Sequence, residues 1–197
     1  MATAMALPTA AAPARPRVLL VGTAMAAAAA FMGIVGLVGV YLSARADALA
    51  VEGATWLPEG SNLPLTPGNM AFATMLLSGV TLWWAVDAVG KNDRPMAYLA
   101  LGLTIFFGIA VVNATSFLYT QSGLPVRSTP GVLVYTVTGA HLAMIIIGLV
   151  YAAVMTFRTL GGEYHGRDRE GLTAAALFWY VTIAAHAVIW LAVYVTK

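Results

Sequence analysis

Cysteine is absent from the 197 residues, so the chain can form no disulfide, no thiolate metal site and no thiol nucleophile. Charge is scarce as well: eight Asp and Glu and ten Lys and Arg make up 9% of the chain, where a soluble domain carries about 25%. So few charges cannot cover a water-soluble surface. The net charge of +2 leaves no basic surface of the kind that nucleic acid demands. Proline is missing from the interior of every long apolar run, and so is charge, apart from Asp87. No internal repeat is present, and no midplane Gly or Pro break of the kind transporters use to build a binding site.

Present instead are five long apolar runs, in a chain that is 60% hydrophobic. They predict spans at 18–44, 69–89, 96–119, 131–157 and 171–196. Each is long enough to cross a hydrocarbon layer that needs about 20 apolar residues. A signal peptide is the rival reading of the first run, with a small-residue stretch at 43–48, but its apolar region would be only about 7 to 15 residues long. Helices are the expected form, because an isolated strand in lipid leaves its backbone unpaired and the runs lack the alternation of a barrel. The fold class is therefore an all-α membrane protein, a single domain over 18–197 built as a five-helix bundle. Residues 1–17, rich in Ala and Pro, are expected to be a disordered tail. The short connection 90–95 predicts a hairpin between the second and third spans, while 45–68 is the long loop.

Basic residues set the orientation. Five spans place Arg15, Arg17, Lys91, Arg94, Arg158, Arg167 and Arg169 on one side and only Arg45, Arg127 and Lys197 on the other. Seven against three predicts a cytoplasmic N-terminus and an external C-terminus.

Helix association in lipid relies on close approach through small residues. Gly33, Gly36 and Gly39, preceded by Ala26, Ala29 and Ala30, mark the first span for tight packing, inside the bundle or against another subunit. An Ala- and Gly-rich composition would also fill a helix this way. Trp83, Trp84, Trp179, Tyr180, Trp190 and Tyr194 read as interfacial anchors and packing.

Polar groups at bilayer depth are candidate functional residues. They are His141 in the fourth span, His186 in the fifth, Asn113 in the third and Asp87 near the end of the second. Two intramembrane histidines admit heme or copper ligation, and Met144 shares a helix face with His141. No complete ligand set follows, and hydrogen bonding of both histidines to neighbouring helices is the favoured reading. Asp87 is expected to pair with Lys91 one turn on. His165, in a charged loop, is expected to be solvated. No continuous chain of titratable groups crosses the bilayer, so the sequence offers no proton wire.

Several segments together resemble the cytochrome c oxidase subunit III family. Thr136-Val137-Thr138-Gly139-Ala140-His141 is similar to the family's Thr-Gly-x-His helix. Phe178-Trp179-Tyr180 with Val188-Ile189-Trp190 through Tyr194 is similar to its final helix, and Tyr41-Leu42-Ser43-Ala44-Arg45 followed by Trp56-Leu57-Pro58 to the first helix and loop of the five-helix bacterial form. The resemblance covers 18–197.

It implies a non-catalytic, lipid-binding accessory subunit of a heme-copper oxidase in a bacterial plasma membrane, packed on subunit I alongside subunit II. It also implies no catalytic, cofactor-binding or metal residue in this chain, with heme and copper held by the partner subunits, and sustained electron transfer to oxygen as the supported activity. Departures from the family pattern are Ala30 or a near neighbour at a buried carboxylate position, Met144 at a second histidine, Asn113 or Ala114 at an acidic position, and Ala184 and Ala187 at a histidine and an aspartate. A proton-uptake role for those carboxylates does not transfer. An accessory subunit of a quinol oxidase or nitric oxide reductase, a small transporter, and a metal-binding membrane enzyme remain the alternatives.

Overall fold

A computed structural model describes residues 17–164, 166 and 168–196. Most of the expected tail and His165 therefore lie outside the described residues. Among the described residues, five helices are long and apolar enough to cross a membrane. They are α1 (Val18–Leu49), α2 (Leu65–Gly90), α3 (Arg94–Ser122), α4 (Thr129–Leu160) and α5 (Glu170–Ile189), with α5 continuing into a π-helical turn, Trp190–Val195.

The first four helices outrun the apolar stretches that mark them. α1 carries Arg45 and Asp47 in its final turns, and α2 starts at Leu65, four residues before the expected Asn69. The loop expected at 45–68 takes in Pro67 and Gly68, yet a proline is tolerated in a first turn, where the amide it lacks would have no helical acceptor. Local chemistry fixes the other ends. Asp93 accepts the Met96 amide at 3.3 Å ahead of Pro95, and Ser128 accepts the Gly131 amide at 3.1 Å ahead of Pro130. Gly123, at φ 58°, closes α3 in the left-handed conformation that costs glycine nothing. The sequence predicts an unbroken α-helix to 196; the π turn from Trp190 departs from it.

α2 and α3 form the expected hairpin, and α5 is the hub, touching α1, α2 and α4. At its centre Trp179 is fully buried and its Nε1 donates to Ser78 Oγ at 2.9 Å. Small residues admit that ring: a Cβ added at Gly148 would lie 2.8 Å from Trp179 Cε3, and one at Gly108 would lie 3.0 Å from Cη2. Gly33, Gly36 and Gly39 do otherwise. They face outward, with nothing among the described residues within 4 Å of an added Cβ, so the close approach expected inside the bundle is made by Gly108 and Gly148.

Loops seal the two ends. On the face that carries the C-terminus, Trp56 of the long loop is buried and donates to Tyr41 Oη at 3.2 Å, while the Asn62 amide donates to the Ser122 carbonyl at 2.9 Å. On the opposite face Arg169 Nη1 donates to the Val86 carbonyl at 3.0 Å, reaching it over Gly90, whose missing Cβ leaves room for the guanidinium.

Candidate functional site

His141 and His186 sit on neighbouring helices and meet in the bundle, ring centroids 4.9 Å apart and edge to face. His141 is 4% exposed, and its Nε2 donates to the Thr182 carbonyl of α5 at 3.1 Å. A carbonyl only accepts, so the neutral ring carries its proton on Nε2 and presents Nδ1 as an acceptor. His186, 9% exposed, stacks on Phe72 at 5.7 Å and 3°, and Phe72 stacks in turn on Trp190 at 5.0 Å. Trp190 Nε1 donates to Asn69 Oδ1 at 2.8 Å, which fastens the π turn to the start of α2. His186 Nδ1 is buried with no hydrogen-bond partner among the described residues.

The histidines border a cavity of about 20 Å³ lined also by Thr115, Thr138 and Tyr194. Hydroxyls lead away from it toward the C-terminal face. Tyr119 Oη donates to Thr138 Oγ1 at 2.8 Å, and Tyr135 Oη lies 3.2 Å from Ser122 Oγ and donates to the Leu124 carbonyl at 3.0 Å. Thr115 and Thr138 donate to carbonyls of their own helices, at Val111 and Val134, leaving their lone pairs to accept. A separate cluster lies deeper, where Thr81 and Thr104 hydroxyls meet at 2.9 Å near Ser78.

Of the residues marked from sequence, His141, His186, Trp190 and Tyr194 are thus drawn together. Asn113 is not: it faces outward from α3 at bilayer depth. Asp87 lies at the other end of α2 and pairs with Lys91 Nζ at 2.7 Å. Sequence reasoning passed over Thr115, Tyr119 and Phe72, and named Thr138 only as part of the segment that leads to His141. Thr138 and His141 were readable as neighbours, one turn apart on one helix face, but their meeting with Thr115 and His186 is set by helix rotation. Among the described residues no three His, Asp or Glu side chains gather as a metal site.

The family model described as cytochrome c oxidase subunit III matches residues 15–197. This chain belongs to the cytochrome c oxidase subunit III family. Similar curated proteins include cytochrome c oxidase subunit 3 of Struthio camelus, 30% identical over 148 residues, which are 73% of this chain and 55% of that protein. The subunit 3 of Paracentrotus lividus is 32% identical over 151 residues, 74% of this chain and 56% of that protein. The chain spans about half the length of the curated relatives it matches. The segment 136–141 lies on α4, and His141 is the residue of it that reaches α5.

Two wide apolar grooves flank α1. One, of about 730 Å³, lies against α5 and α2 with Trp83 and Tyr180 at its edge; the other, of about 660 Å³, lies against α4 and includes Gly33.

Proposed function

We infer that this chain is a non-catalytic subunit of a heme-copper oxidase, packed in the membrane against the heme- and copper-bearing subunit I, near subunit II, and supporting sustained electron transfer to oxygen. Membership of the subunit III family over 15–197 carries the reading. The outward face of α3 supports it. Asn113 is exposed there at bilayer depth, and an amide in lipid lacks the hydrogen bonds that a neighbouring protein helix supplies. The open face of α1 at Gly33, Gly36 and Gly39 has room for a second close neighbour, and the two apolar grooves beside it have the width and lining to hold phospholipid chains. The membrane is a bacterial plasma membrane, with the Arg- and Lys-rich N-terminal face in the cytoplasm.

Gentle detergent extraction with an affinity tag on this chain tests the reading. Heme-bearing subunits should co-purify and give the complex a heme absorption spectrum. A colourless preparation of this chain alone would overturn it.

A further inference from the structure

We propose that the cavity between His141 and His186 is a water-binding site, filled only from the membrane face that carries the C-terminus. Its size is the first support: about 20 Å³ exceeds the roughly 10–15 Å³ that one water requires. Its chemistry is the second. A buried water needs two to four polar partners, and the lining supplies the two imidazoles, the accepting lone pairs of Thr115, the one lone pair of Thr138 that Tyr119 leaves free, and Tyr194. The third is an unmet need. His186 is nine-tenths buried, and its ring lines the cavity with Nδ1 unpartnered among the described residues. Buried polar groups are satisfied by protein or by ordered water, and a half-turn of the ring about its last torsion presents either nitrogen to the cavity.

Direction follows from what lies above and below. A second cavity of about 10 Å³ shares Leu118 and Tyr194 with the first and continues to Ser122 and Tyr135, against the loop that closes the C-terminal face. In the other direction, one turn along α2, α3 and α4 stand Met75, Val111 and Ile145, each 0% exposed, and on α5 Thr182, also 0% exposed, with its carbonyl taken by His141. Water therefore has a stepped, hydroxyl-lined entry from one side and a closed, fully packed floor on the other.

The absence of native cysteine gives a clean test. Thr115→Cys, Thr138→Cys and, in the floor, Ile145→Cys are made one at a time in the assembled protein in sealed vesicles. Silver ion, a water-sized thiol reagent, is applied to one face at a time, and the thiols left free are then counted with a maleimide after denaturation. Loss of maleimide labelling at Thr115→Cys and Thr138→Cys, only with silver on the C-terminal face and with Ile145→Cys spared, is expected. Protection equal to that of Ile145→Cys, or attack from both faces, overturns the proposal. The unsubstituted protein gives a second reading. A map that resolves other buried waters should show one within hydrogen-bond distance of a His186 nitrogen, and an empty cavity there would refute the site.

Discussion

The Glu170 carboxylate accepts the backbone N–H of Leu20 at 3.0 Å, so a side chain in the first turn of α5 closes the first turn of α1. α1 has no side-chain cap of its own, since Arg17 makes none. Loss of a cap costs about 0.5–2 kcal/mol. Glu170→Ala is therefore expected to lower the melting temperature of the detergent-solubilised protein and to speed amide exchange over 18–23. Unchanged exchange there would mean that this contact contributes nothing.

His141→Gln and His141→Leu separate hydrogen bonding from packing. Interhelical hydrogen bonds in lipid are worth about 0.6 kcal/mol on average and up to roughly 1.7. Gln can still donate to the Thr182 carbonyl, so this variant should melt close to the unsubstituted protein, while Leu should lose about that modest amount. Oxygen consumption by the complex at several pH values provides the second readout. A pH-dependent collapse in the Gln variant, with the subunit still bound, would show that the ring handles protons, because Gln cannot titrate near neutrality.

Two glycine substitutions are expected to act in opposite ways. At Gly148 a methyl group would press on the rigid Trp179 ring, and overpacking of this kind costs about 1–3 kcal/mol. Gly148→Ala should lower the melting temperature of the purified chain. Gly33→Ala meets nothing beyond its own helix among the described residues and should leave that temperature alone, while reducing recovery of the chain with its complex if α1 docks there.

Asn113→Leu makes the same distinction on α3. A lipid-facing position would accept leucine gladly, raising the chain's own stability and leaving co-purification intact. Loss of partner subunits during purification is the outcome expected of a docking face.

The contact between the last turn of α4 and the loop that follows it carries a pH dependence. Arg158 Nε donates to Glu163 Oε2 at 2.7 Å, and this contact holds the Glu163 carboxyl below its ordinary value of 4.5. A depressed carboxylate stabilises the fold fully above that ordinary value and loses the contribution as pH falls through the lower folded value. Amide exchange at 161–164 should be unchanged near neutral pH and faster in acid below the usual carboxylate range. Acid sensitivity that survives in Glu163→Gln would have another source.

The spans, the α2–α3 hairpin and the helical class were readable in the sequence, because hydrocarbon thickness and backbone pairing alone set them. Helix rotation was not. In water an apolar stripe marks the inner face, whereas in lipid both faces are apolar, so nothing in the sequence says that Asn113 turns outward or that Gly108 and Gly148, rather than Gly33 and Gly36, meet another helix. His141 and His186 stood out one at a time as polar groups at depth. Their meeting depends on the angular setting of α4 against α5, and the cavity between them also needs Thr115 of α3 and Ala71 of α2. Helix ends were displaced for a simpler reason: hydropathy stops at the interface, while the hydrogen-bonded backbone runs on until a cap or a left-handed residue halts it.

Arg169 and Glu170 are consecutive, and between them they grip the end of α2 at Val86 and the beginning of α1 at Leu20. The Leu20 contact joins residues 150 positions apart. During synthesis, then, α1 and the α2–α3 hairpin emerge long before the pair that fastens them. Until Arg169 and Glu170 are made, α1 has an open end and Val86 has no guanidinium over it. Synthesis of this pair is therefore the locking step, and a ribosome halted anywhere before residue 169 leaves α1 to α4 inserted but unlatched.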